Sequence, residues 1–201
     1  MEVFKKLFVV SDIHGYGDLL KSALDEAGFR ADDTSHIFVC CGDLFDNENE
    51  NANEALCAFM DGLPRKILIL GDREEMLSQR MDISERLRRL LGDMKNYYET
   101  ENYLFVHGWI PFRQDFRTAC TKDWQSARKI GWNEFYGENE ILPDKTIVCG
   151  HIPTRAAYAF DDWALSDHGV YKGNGVLAVN GGVEGCGKIN VLILKERLNK
   201  R

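Results

Sequence analysis

The chain has 201 residues, 44% apolar and 28% charged, the proportions of an ordinary globular protein and the size of one domain spanning residues 1–201. A net charge of −7 argues against a nucleic-acid partner, which usually needs a basic face. The opening "MEVFKKLFVVSD" is too short for a signal-peptide core and no run approaches the length of a membrane span, so a cytoplasmic protein without a membrane partner is expected.

In chain order, "KKLFVV" reads as a first strand. "DLLKSALDEAGF" follows as a helix with Leu20, Ala23, Leu24 and Ala27 on one face and Gly28 as its stop. "HIFVCC" is a second strand, with His36 exposed at its start, and the acidic "DNENENAN" is a solvated loop into a second helix, "NANEALCAFMDG". "KILIL" is a third strand. "DISERLRRLLGD" is a third helix that turns Ile83, Leu87, Leu90 and Leu91 inward, with Asp82 as its cap and "RLRRL" as its solvated face. The alternation predicts an α/β fold, a parallel sheet covered by helices. "NYLFV", "KTIVC", "GVLAV" and "INVLIL" add strands, the last joined by glycine turns that suggest antiparallel pairing. Between them "TKDWQSARKIGWNEFYGENE" reads as helix plus loop, its Trp124, Trp132, Phe135 and Tyr136 serving as core or pocket wall, or else as a recognition surface.

Five strand runs end alike. "FVVSDIHG" supplies Asp12 and His14, "FVCCGDLFD" supplies Asp43 and Asp46, "LILGD" supplies Asp72, "LFVHG" supplies His107 and "IVCGHIP" supplies His151. The carboxyl ends of parallel strands form the ligand crevice of an open α/β sheet. A single aspartate there is most simply a turn former, and a single histidine a surface or core residue. The repetition in strand-end contexts points instead to a shared rim of six metal ligands. Carboxylates with imidazoles suit manganese, iron or zinc, and two such ions can clamp a phosphoryl group, with a carboxylate such as Asp43 bridging them. The six cysteines show no CxxC spacing and read as reduced, packed thiols rather than a zinc or disulfide framework. "GVEGCGKI" approaches a phosphate-binding loop, but Ile189 stands where Ser or Thr is required and a strand follows, so a hairpin turn is expected.

"SDIHG", "GDLFD", "GDRE", "VHG" and "GHIPT", in that order, resemble the motifs of calcineurin-like metallophosphoesterases. The branch is similar to phosphoprotein phosphatases and their small bacterial and phage relatives, and the resemblance runs from about residue 5 to about 195. "GVLAVNGGVEGCGKINVLIL" resembles that branch's closing hairpin, with Val179-Asn180 in place of Ile-Asp. The resemblance implies a four-layered α/β/β/α sandwich. It implies two divalent cations, manganese first with iron or zinc as alternatives. Asp12, His14 and Asp43 would hold one, and Asp43, Asp72, His107 and His151 the other. It implies direct attack on phosphorus by metal-bound hydroxide, with no phosphoenzyme.

Where the family usually has Gly-Asn-His-Glu, this chain has Gly71-Asp72-Arg73-Glu74. Asp72 keeps an oxygen ligand. Arg73 replaces the family's proton donor, and a guanidinium stays charged and donates no proton. Asn47 stands where the family's phosphate-gripping arginine usually follows the aspartate that Asp46 matches. Arg73 is therefore expected beside Asp46 as a relocated phosphate clamp, with Arg113 as a further phosphate contact and His168, otherwise structural, as the substitute proton donor. The expected activity is hydrolysis of phosphomonoesters, on a phosphoprotein, a nucleotide or a small metabolite. The alternatives are a dinucleoside polyphosphate hydrolase, and a catalytically weak module that recognises a phosphorylated partner. The oligomeric state is left open.

Overall fold

The computed structural model describes residues 4–111, 115–135, 142, 144–158 and 168–197. Among the described residues nine strands form two mixed sheets. The first has the order β3-β2-β1-β9, from β1 (Phe4–Val10), β2 (His36–Cys40), β3 (Lys66–Leu68) and β9 (Leu192–Arg197). β1, β2 and β3 run parallel, and β9 joins antiparallel, with Leu7 opposite Leu194. The second has the order β4-β5-β6-β8-β7, from β4 (Tyr98–Glu99), β5 (Tyr103–Phe105), β6 (Thr146–Cys149), β7 (Tyr171–Gly173) and β8 (Val176–Ala178). Its central β5, β6 and β8 are parallel and its two outer strands antiparallel.

The central strands are apolar over Leu7–Val10, Ile37–Cys40 and Ile147–Cys149 because both their faces are covered there. Leu7 and Val9 of β1 with Ile37 and Val39 of β2 meet Phe105 and Val148 of the second sheet in a core between the sheets. Phe8, Val10, Phe38 and Cys40 face the other way. They pack against α1 (Gly17–Glu26), α2 (Glu50–Asp61), α3 (Asp72–Ser78) and α4 (Glu85–Asp93). Leu104, Ile147 and Val176 point away from the intersheet core toward Trp124 of α5 (Thr121–Ala127) and Trp132 of the following 3-10 turn (Trp132–Phe135). The result is the four-layered α/β/β/α arrangement. Two one-turn helices, α6 (Arg155–Tyr158) and α7 (Val183–Cys186), sit in loops beyond β6 and β8. Among the described residues no helix is long and apolar enough to cross a membrane.

Three local expectations are corrected. β8 and β9 are not a hairpin: they belong to different sheets, and the "GGVEGCGKIN" segment crosses between them carrying α7. Ser84, not Asp82, caps α4 by accepting from the Leu87 amide, because Arg80 already holds both carboxylate oxygens of Asp82 at 2.9 and 2.7 Å. His36 is buried rather than exposed. Its ring packs on Phe8 at 4.7 Å and its Nδ1 accepts from the Arg30 amide at 3.0 Å, since β2 is an interior strand. Trp124 stacks on Tyr97 at 5.1 Å and Trp132 on Tyr171 at 4.5 Å, as core. Tyr136 lies outside the described residues.

Candidate metal centre

The parallel strands of both sheets deliver their following loops to one rim. The loops after β1 and β2 are stitched together, the amides of Ile13 and His14 donating to the Asp43 carbonyl at 2.7 and 3.0 Å. Asp12, His14, Asp43 and His151 all adopt positive φ, between 48° and 64°, which is rare for residues with a Cβ. Such strain persists where surrounding structure enforces it, and it concentrates at functional sites. The backbone also comes close: a Cβ on Gly71 would lie 2.0 Å from Asp43 Oδ1, and one on Gly150 2.3 Å from Asp12 Oδ2.

The six predicted side chains come together as two triads, Asp12–His14–Asp43 and Asp72–His107–His151, the donor atoms within each lying within 4.8 Å of one another. His107 Nε2 joins them, 3.0 Å from Asp72 Oδ1 and 3.6 Å from Asp43 Oδ1. His151 Nδ1 is 3.3 Å from the same Asp72 oxygen. His107 Nδ1 donates to the Cys41 carbonyl at 2.8 Å, which fixes the tautomer that turns Nε2 inward.

The electrostatics are those of a site short of positive charge. Burial leads the causes that push the Asp12 carboxyl up, with His107 opposing and the Asp43 charge reinforcing. Burial also opposes charge on His107, yet Asp43, Asp72 and Asp12 override it and lift the imidazole to about 10. Asp72, against its burial, is held well below the usual carboxylate range by hydrogen bonds to His107 and His151. A divalent cation in either triad would take over the role of that proton. The donor set fits one: three carboxylates, three imidazoles, mostly buried, with spacings suited to atoms that share a cation at about 2.0–2.2 Å. His14 fits too, its buried Nδ1 having no hydrogen-bond partner and its Nε2 standing 3.8 Å from Asp12 Oδ1, beyond hydrogen-bond reach. The buried thiols of Cys40, Cys41 and Cys149 are raised by burial and stay neutral packing groups.

Around the triads lies an open cleft of about 370 Å³, lined also by Arg73, Pro153, Arg155, His168, Asn180 and α7. Glu74, fully buried, accepts from four amides, those of Asp43, Leu44, Phe45 and Gly71, at 2.8–3.1 Å. It thereby clamps the loop after β2 to the loop after β3.

Arg73 is at the rim, but its expected partner is wrong. Asp46 Oδ1 instead accepts from the Glu48 and Asn49 amides at 2.7 and 2.8 Å, shaping the loop into α2. The Arg73 guanidinium reaches across the cleft to Glu184 of α7. Sequence reasoning did not single out Glu184 or Arg155, although one lies between glycines and the other directly follows "GHIPT". Asn180 acquires a function: its side chain donates to the His151 carbonyl at 3.0 Å and accepts from the Gly182 amide at 2.8 Å. His168 lines the cleft with Nδ1 3.2 Å from the Gly181 carbonyl oxygen. Arg113 lies outside the described residues.

A family model described as calcineurin-like phosphoesterase matches residues 5–182. The chain belongs to that family. Solved structures share the calcineurin-like fold at low identity. A putative diadenosine tetraphosphatase superposes with a TM-score of 0.71 at 14% identity, covering 98% of this chain and 95% of its own. A metallophosphoesterase from Sphaerobacter thermophilus gives 0.59 at 12%, covering 98% and 89%. A protein serine/threonine phosphatase from Saccharomyces cerevisiae gives 0.56 at 13%, covering 98% and 81%. No curated protein matches significantly.

Proposed function

We propose that this calcineurin-like protein is a dinuclear metal-dependent phosphoesterase that hydrolyses phosphomonoesters. The observation that carries the proposal is the pair of facing triads, joined through His107 and Asp43 and opening into a cleft beside Arg73. Asp12, His14 and Asp43 would hold one cation and Asp72, His107 and His151 the other, with Asp43 placed to serve both. When bound, two divalent ions, manganese being the proposed pair, supply an activated water and neutralise phosphoryl charge.

The chain's own residues divide the remaining work. Arg73 and Arg155 line the cleft and offer guanidinium donors to phosphoryl oxygens. Arg73 gives up no proton, so help to the leaving oxygen, typically worth about 10²–10⁴ in rate, must come from another group or be unnecessary. His168 is the imidazole in the cleft outside the two triads among the described residues. Esters with good leaving groups should therefore react best. Similarity to the putative diadenosine tetraphosphatase over nearly its full length supports a second reading, hydrolysis of a dinucleoside polyphosphate, whose leaving phosphate also needs no proton.

The test is turnover with added manganese of 4-nitrophenyl phosphate, phosphoserine and diadenosine tetraphosphate, with metal content measured in parallel. Aryl phosphate should be cleaved with a higher kcat/KM than phosphoserine, and Asp43→Asn should lose both activity and metal. A preference for the polyphosphate would favour the second reading. Metal uptake without turnover of any ester would make the protein a binding module and overturn the proposal.

A further inference from the structure

Arg73 does not wait empty-handed for phosphate. Its Nη2 stands 3.0 and 3.1 Å from the two carboxylate oxygens of Glu184. Glu184 Oε2 is at the same time 3.8 Å from Nε2 of His14, a member of the first triad. The carboxylate therefore sits within reach of both the guanidinium and His14, where a phosphoryl oxygen shared by Arg73 and a cation held in the first triad would have to lie. Arg73 itself is anchored at the site, its amide donating to Asp43 Oδ1 at 3.0 Å.

The contact is built to be exchanged. Both Glu184 oxygens share one guanidinium nitrogen, so the two-pronged pairing that makes Arg–carboxylate contacts strong is not used. Glu184 is half exposed, at 51%, against 25% for Arg73. The backbone beneath it is fixed. Asn180 Oδ1 holds the Gly182 amide at 2.8 Å, the Gly187 amide donates to the Val183 carbonyl at 2.8 Å, and Val183 is buried. Rotation of the Glu184 side chain alone vacates the seat, without movement of α7. A phosphate offers the guanidinium two oxygens at once and adds contacts to bound cations, so it can win the exchange.

Resting on the phosphoesterase reading above, we infer that Glu184 is a resident anion that competes with substrate and product phosphate for Arg73. It sets the affinity of the phosphate seat. It keeps weakly bound anions out and returns to Arg73 as product phosphate leaves. No bond is made or broken; one charge-assisted contact is traded for another.

The probe is inorganic phosphate, titrated calorimetrically into the manganese-loaded full chain. A ligand that needs an open seat is weakened in proportion to the fraction of time the seat is open, so a contact closed nine-tenths of the time weakens phosphate about tenfold. Glu184→Gln should tighten phosphate by about that factor. In an Arg73→Ala background the same change should have no effect. Should Glu184→Gln fold poorly, Glu184→Asp, one methylene shorter, should tighten phosphate in the same sense. Unchanged or weaker binding in these variants overturns the inference, as does the same gain with Arg73 removed, or no phosphate binding by any variant. If the binding pattern holds while no ester is turned over, the phosphoesterase reading falls and the competition stands.

Discussion

Glu74 shows how much of the site rests on one side chain that touches no candidate metal position. Burial, then the Asp43 charge, push its carboxyl up to about 7, against the hydrogen bonds from the Phe45 and Gly71 amides. Those amides and two others converge on its two oxygens. Glu74→Gln keeps the shape but turns an NH2 group toward amide donors, leaving two of them without an acceptor. Unsatisfied buried donors cost about 1–3 kcal/mol each, so the variant should lose about 2–6 kcal/mol in urea unfolding. A loss below about 0.5 kcal/mol, within the range of an ordinary surface change, would show that water replaces the carboxylate. Gly71 makes the complementary point. Any Cβ there would overlap Asp43 Oδ1, so Gly71→Ala should abolish manganese binding and not merely weaken it.

At the scale of elements, the second triad depends on how the loop after β6 is held. His151 sits at φ 64°, its amide on Asp12 Oδ2 at 3.0 Å and its carbonyl on the Asn180 side chain. The Trp132 indole donates to the neighbouring Ile152 carbonyl at 3.1 Å. Asn180→Asp would replace the donor with an oxygen facing a carbonyl. Supporting partners of this kind are worth about 10–100-fold in metal affinity. Manganese titration should show at least a tenfold loss confined to one of two sites, and two sites of unaltered affinity would refute the role. These dependencies also mark the limit of what the chain discloses in linear form. The six triad residues were legible because each sits in a short motif at a strand end, and parallel strands must bring those ends together. Apolar runs disclosed seven of the nine described strands, but β4, of two residues, and β7, whose Tyr171-Lys172-Gly173 has no aliphatic side chain, carry too little pattern to be seen. Arg73 to Glu184 spans 111 positions, and the part-buried ion pair that Arg128, at the end of α5, makes with Glu75 of α3 spans 53. Nothing local in either pair announces its partner, since the contact exists only once α7 has crossed between sheets and α5 has packed.

For the whole molecule, the layers explain why substitutions far from the cleft should still reach it. Val9, Val39 and Ile69 lie in the intersheet core, close in sequence to the ends of the strands that carry Asp12, Asp43 and Asp72. A change of volume there moves one sheet's rim against the other, and the triads draw from both. Removing a buried methylene in such a core typically costs about 0.5–1.5 kcal/mol. Val9→Ala removes two such carbons, so it should lower stability by about 1–3 kcal/mol and also weaken manganese at both sites, which thermal unfolding with and without the ion would reveal. Lower stability with unaltered metal affinity would show that the rims are uncoupled from the core.

The position of β9 has a consequence for how a cell must make this protein. β1 lies between β2 and β9, and its antiparallel partner is the last strand described, pairing Phe4 with Arg197 and Val9 with Leu192. A ribosome delivers β1 (Phe4–Val10) long before β9 (Leu192–Arg197). Throughout synthesis the apolar β1 has an open backbone edge, a template for pairing with other chains. A chain ended after Asn190 would keep that edge permanently and would leave Leu7 without Leu194. It should scatter light and pellet at concentrations where the full chain stays clear. Of the nine described strands, β1 is the one whose wait for its last partner is longest, and there the nascent chain would need a chaperone's shelter.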